Sequence, residues 1–213
     1  MTTFLPRNVK CGVCGNVKKV NIIGSTNAMG YMDLDTRPPM MARHNLAYEI
    51  QMCPRCFYAN TSIERVPENF IKNIMKTDEY VSIVNDPTIN DVAKAYLLAG
   101  YIKNKLNDYR SAGFWYLKAA WSFDDRKDIQ NAIMAREEAL ANFEKELEDN
   151  YEEHLTLITV DIRRRIKKFD EAIKTAEKLL EKVEDEFIRK LIIFEISLAN
   201  QKDSLCHDLG ETL

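Results

Sequence analysis

Two Cys-x-x-Cys pairs, Cys11-Gly-Val-Cys14 and Cys53-Pro-Arg-Cys56, stand 38 residues apart and constrain the first third of this 213-residue chain. Within each pair a tight turn can aim both sulfurs at one point while backbone N–H groups support the thiolates. Two such knuckles brought together give a tetrahedral four-sulfur set, which suits zinc first and iron second. A thioredoxin-like redox pair is the competing reading, but no strand–helix–strand pattern surrounds either pair. Four thiolates leave no coordination position open, so the expected cofactor is a structural Zn²⁺ and not a catalytic one.

The metal also answers a physical need. Residues 1–66 are rich in loops, and a unit of that size has a marginal core without a staple. Five of the six prolines lie at or before Pro67, and only Gly100 and Gly113 interrupt the chain between Pro87 and Gly210. Charge divides in the same way. Residues 1–66 carry eight Lys/Arg against four Asp/Glu, whereas residues 67–213 carry 22 against 29. The expected organisation is a basic zinc-ribbon head, 1–66, joined to an acidic α-helical repeat body, 67–213. Val17–Ile23 and Leu46–Met52 alternate and read as strands flanking the knuckles.

Between the knuckles the chain is longer than a minimal ribbon needs. Arg37 precedes Pro38-Pro39, Arg43-His44 follows, Tyr31 and Tyr48 flank them, and Asp33 and Asp35 lie among them. Fixed turns bearing Arg beside aromatics can fork onto phosphates and stack on a base. The same residues read equally as arginines paired with Asp33 and Asp35 and tyrosines packed on the ribbon.

The order of Cys11-x-x-Cys14-Gly15, Asp35-Thr36-Arg37-Pro38-Pro39, Ala42-Arg43-His44, Tyr48 and Cys53-Pro54-x-Cys56 resembles the bacterial domain-of-unknown-function family 2225, over nearly the whole chain. The resemblance implies a zinc ribbon joined to tetratricopeptide-like helices and brings no established enzyme activity. One departure stands out. Family members are expected to carry Gly-Tyr after the second knuckle where this chain has Phe57-Tyr58, and a left-handed turn costs more without glycine.

In the body, Pro67 suits the first turn of a helix with Phe70, Ile71, Ile74 and Met75 on one face. Asp86-Pro87 breaks the chain, and a second helix begins near Asn90 or Asp91. The stretch Ala99–Ala119 resembles a tetratricopeptide repeat, with the turn Leu106-Asn107-Asp108-Tyr109 and a stripe of Ala112, Tyr116 and Ala119. Ile166–Phe169 with Ala172 and Ala176 echoes it 60 residues later. Later helices are expected at about Arg126–Glu148, Tyr151–Lys167, Asp170–Glu184 and Asp185–Gln201. The fold class is therefore mostly α, with short β-strands confined to the head. Arg163-Arg164-Arg165 with Lys167-Lys168 reads as solvated helix surface. The aromatics around Trp115 and Trp121 read as packing, or as a groove wall that receives a peptide or the head's own linker.

No phosphate-loop, dinucleotide, metalloprotease or nucleophile-elbow motif is present, so the chain is expected not to be an enzyme. The longest apolar run, Ala95–Ile102, is far short of a membrane span, and MTTFLPRNVK has no signal-peptide core, which points to the cytoplasm. Two functions remain. One is a nucleotide sensor in which Arg37, Arg43 and His44 meet phosphates and Tyr31 or Tyr48 stacks a base; a cyclic dinucleotide suits it, and its two-fold symmetry suits a homodimer. The other is an adaptor whose helical groove binds a protein partner's peptide. Nucleic-acid binding is a weaker third, because metal ligation by four thiolates reduces the head's positive charge.

Overall fold

The computed structural model describes residues 2–66 and 70–212. In the head, β1 (Thr3–Lys10) and β2 (Val17–Ser25) form an antiparallel hairpin around the first knuckle, with Arg7 opposite Val20 and Val9 opposite Lys18. β2 contains the expected strand Val17–Ile23. A strand over Leu46–Met52 does not form. A 3-10 helical segment covers Met40–Tyr48, and only Gln51–Met52 (β3) is extended, pairing with Ala59–Asn60 (β4). The burial pattern explains the difference. Ala42, Asn45, Leu46 and Ile50 face inward, at the spacing of helical turns and not the period of two that a strand requires.

The body opens with two short helices, α1 (Ile71–Ile74) and α2 (Asp78–Asn85). Pro67 lies outside the described residues. Ile71 and Ile74 are buried as expected, but Phe70 is exposed. α2 stops at Asp86-Pro87. α3 (Asp91–Lys105) then begins behind Asn90, whose Oδ1 accepts from the Ala93 N–H at 3.0 Å. There follow α4 (Tyr109–Asp124), α5 (Ile129–Asp149), α6 (Glu153–Arg165), α7 (Phe169–Leu180) and α8 (Glu186–Asn200). From α2 onward each helix packs against the next, as repeat stacks do.

One turn recurs through the stack. Asn107, Lys127, Lys167 and Lys202 all take positive φ, between 56° and 65°. The following residue's N–H returns to a carbonyl five positions back: Asp108 to Lys103 at 3.0 Å, Asp128 to Phe123 at 3.0 Å, Lys168 to Arg163 at 2.8 Å and Asp203 to Leu198 at 2.9 Å. These are left-handed C-caps built without glycine. The turns at 107 and 167 are the two repeat echoes visible in the sequence, and the structure adds those at 127 and 202. Helix interiors use glycine for close approach instead. A Cβ on Gly100 would lie 3.2 Å from the Tyr116 ring, and one on Gly113 only 2.4 Å from that of Phe143.

One apolar core runs from Val9, Cys11, Leu46, Cys53 and Tyr58 of the head into α1–α6, and a second joins α6, α7 and α8 around Leu34 of the linker. The head is tied to the helices by polar bonds too. Tyr80 on α2 donates to the Phe57 carbonyl at 2.9 Å, and Tyr96 on α3 donates to that of Leu46 at 2.7 Å. Among the described residues no helix is long and apolar enough to cross a membrane.

Candidate metal centre and helical groove

The four sulfurs of Cys11, Cys14, Cys53 and Cys56 lie within 4.8 Å of one another. Cys11 and Cys56 are 3.7 Å apart, and Cys14 and Cys53 3.6 Å. A tetrahedral ion with bonds of about 2.3 Å to sulfur needs edges of about 3.8 Å, so the set fits one metal ion. The two knuckles share a backbone pattern. The first cysteine's carbonyl accepts from the residue four positions on, Gly15 to Cys11 at 2.8 Å and Phe57 to Cys53 at 2.9 Å. Its own N–H meets the carbonyl one residue further, that of Asn16 or Tyr58. Burial opposes ionisation of Cys53, but the N–H groups of Cys56 and Arg55 and the neighbouring thiols outweigh it and bring Cys53 to about 7. Burial, reinforced by the other thiols, raises Cys56. A metal would replace the protons that such a cluster cannot otherwise release together.

Gly15 closes the first knuckle with φ +74°, and Phe57 closes the second with φ +60°. The left-handed turn therefore survives the departure from glycine. Packing of the Phe57 ring against the core and the Tyr80 hydroxyl on its carbonyl hold it there.

The linker residues lie against the chain's own acids and aromatics. Arg37 is buried and donates to Asp125 at 2.5 Å. Arg43 donates to Asp33 and to the Pro38 carbonyl. His44 Nε2 is 2.8 Å from the Thr2 hydroxyl, the Tyr48 ring is 4.4 Å from that of Phe4, and Tyr31 packs over Gly210. These five side chains do not converge on one cavity. The space that Arg37 and Arg43 share with Trp121 and Glu49 is about 10 Å³, room for one water.

Asp35 is the centre of this docking. It accepts from the Trp121 indole N–H at 2.8 Å and lies 3.8 Å from Arg136 and 4.0 Å from Arg165. Burial, and then the charge of Asp161, raise its pKa. Asp33 accepts from the Cys206 thiol at 2.9 Å, and burial raises Asp33 while pushing Cys206 up to about 12. Trp121 is thus the wall that receives the head's own linker.

The run Arg163-Arg164-Arg165 is not a solvated face. Arg163 pairs with Glu144 at 2.6 Å and Arg165 with Asp124 at 3.1 Å. Arg164, fully buried, pairs with Asp161 at 2.5 Å and Glu195 at 2.7 Å, and donates to the carbonyls of Asp203 and Leu205. A signal for this was present. Asp161 and Arg165 fall in phase with Ile158 and Ile162 on the apolar stripe, as Arg136 does with Ala132, Ala139 and Phe143.

A much larger cleft lies elsewhere. About 550 Å³ opens between α2 and α5, floored by α3 and α4. Ile83, Leu97, Tyr101, Tyr116, Phe123 and Met134 supply its apolar surface. Tyr116 belongs to the repeat stripe read in the sequence; Glu79 and Asp86 come from α2 and its end, Met134 and Glu138 from α5, with no local motif to join the two walls.

The profile of a family described as "Uncharacterized protein conserved in bacteria (DUF2225)" matches residues 4–195. No curated protein and no solved structure matches the chain. The chain belongs to this bacterial family.

Proposed function

We propose that this family member is a non-catalytic cytoplasmic binding protein. A structural zinc ion on Cys11, Cys14, Cys53 and Cys56 holds the head against the helices, and the groove between α2 and α5 receives a peptide segment of a partner protein. The groove carries the reading: a cleft of about 550 Å³, apolar along its floor and polar at its rims, has the size and lining of a ligand site. Met134, on its wall, is half exposed, and its flexible thioether suits a surface that must fit an incoming side chain. A nucleotide-sensor reading would place phosphate on Arg37 and Arg43. Those guanidinium groups already pair with Asp125 and Asp33, so a ligand phosphate would compete with a carboxylate at each.

The test is selection of a random dodecapeptide display library on the zinc-loaded chain, with the Met134→Asp chain as counter-target. Calorimetry against a nucleotide panel containing cyclic di-AMP and cyclic di-GMP runs beside it. Peptides that need an intact groove are expected. Saturable nucleotide binding that disappears in folded Arg43→Ala protein, with no groove-dependent peptide, would replace this reading by the sensor.

A further inference from the structure

The groove has an electrostatic character that narrows its occupant. Glu79 and Asp86 stand on the α2 wall and Glu138 on the α5 wall, with Lys105 as the one cation among its lining residues. None of the three carboxylates has an ion-pair partner within 4 Å among the described residues; Glu79 and Asp86 accept only from the Tyr101 and Thr88 side-chain hydroxyls and the Thr88 N–H, and Glu79 and Glu138 are exposed at the rims. Lys94, the cation near Asp86, gives its ammonium to the main-chain carbonyls of Val84 and Asp86, at 2.8 and 2.9 Å. Lys105 lies over the Tyr101 ring, 5.0 Å from its centroid.

The floor adds a second observation. The Tyr116 side chain is 5% exposed and lines the cleft, yet its hydroxyl makes no hydrogen bond to the described residues. Burial, and then the negative charge of Glu138, hold that hydroxyl in its protonated form. The ring is buried but the hydroxyl is reachable from the cleft, where it can donate to water or to something that enters the groove.

We propose that the groove recognises a peptide segment in which a lysine or arginine stands beside an aliphatic or aromatic side chain. The apolar side chain enters between Ile83, Leu97, Phe123 and Met134, a main-chain carbonyl accepts from Tyr116, and the cation pairs with an acid on one rim. Acids on both walls favour a segment that projects side chains in two directions over a single small cation, which would meet one wall at a time. This inference rests on the peptide reading of the groove and specifies the partner's chemistry.

The peptides recovered from the display selection decide it. Among those that bind the zinc-loaded chain but not Met134→Asp, Lys and Arg are expected to exceed Asp and Glu by about threefold, next to Leu, Ile, Phe or Met. For one such peptide, fluorescence anisotropy is expected to show about tenfold weaker binding to Glu138→Lys, restored when the peptide's basic residue is changed to glutamate. Tyr116→Phe, which keeps the ring and its packing, is expected to weaken binding about fivefold. Groove-dependent peptides that are neutral or acidic overturn the inference and leave the peptide reading standing. The absence of any groove-dependent peptide overturns both.

Discussion

Replacing Glu195 by glutamine would remove a proton-binding site from the middle of the body without removing a hydrogen-bond acceptor. Arg164 holds Glu195 Oε2 at 2.7 Å and Asp161 Oδ1 at 2.5 Å, so one buried guanidinium faces two carboxyl groups. Glu195 Oε1 and Asp161 Oδ2 are left without a hydrogen-bond partner among the described residues. Burial, and then the Asp161 charge, push Glu195 well above the ordinary glutamate value of 4.5. A group raised in the folded state adds most stability below its unfolded pKa, and that contribution falls away as the pH climbs through the folded value. The slope for one such proton is about 1.4 kcal/mol per pH unit. Glutamine keeps an oxygen for Arg164, can turn an N–H toward Asp161, and has no proton to lose. The wild-type advantage over Glu195→Gln should therefore shrink by about 1.4 kcal/mol per unit from about pH 5 upward. At neutral pH the variant should be within about 1 kcal/mol of wild type, or above it. Urea midpoints of both zinc-loaded chains across pH 5 to about 8 measure this, and ionisations common to both cancel in the difference. Parallel curves, or a variant weaker by about 3 kcal/mol or more at every pH, would mean an ionised Glu195 and refute the reasoning.

Three further outcomes follow from the geometry. Cys53→Ser should lose bound metal and most of the head's stability, on the order of 10 kcal/mol of metal-linked folding, whereas Cys206→Ser should keep full metal stoichiometry by elemental analysis. Gly113→Ala should cost about 1–3 kcal/mol because its Cβ would sit 2.4 Å from the Phe143 ring, while Gly100→Ala, at 3.2 Å from Tyr116, should stay within about 1 kcal/mol of wild type as helix propensity offsets the crowding. Lys127→Gly and Lys167→Gly, each at a left-handed C-cap, should raise the thermal midpoint by relieving about 1 kcal/mol of backbone strain apiece.

What the sequence revealed depended on how local the physics was. The metal cysteines were legible because each pair is a four-residue turn whose spacing does the geometric work. The start of α3 was legible because Asn90 caps it, and its neighbour α2 ended at a proline, for reasons confined to one turn of chain. Leu46–Met52 misled because seven residues alternating in hydropathy also satisfy a helical spacing of four, and burial against the helices chose between them. Arg37 could not be assigned from its surroundings, since its partner Asp125 lies 88 residues away. Arg43 was nearer to hand: its pairing with Asp33, ten residues back, was one of the two alternatives the linker offered. The arginine run reads as surface by its charge, whereas its phase places two of the relevant charged positions among isoleucines.

The linker's distant partners also set an order of events in time. Asp33 meets Cys206, 173 positions further along, and Asp35 meets Trp121, 86 positions on. A ribosome adding about 5–20 residues per second needs roughly 10–35 s to travel from Asp33 to Cys206. All four cysteines of the cluster have been made by residue 56, so the nascent head can load an ion while Asp35 still lacks Trp121 and Asp33 still lacks Cys206. Synthesis halted between these two points leaves a head able to take up its ion but with its inter-knuckle linker undocked, which is the form a chaperone or protease meets first.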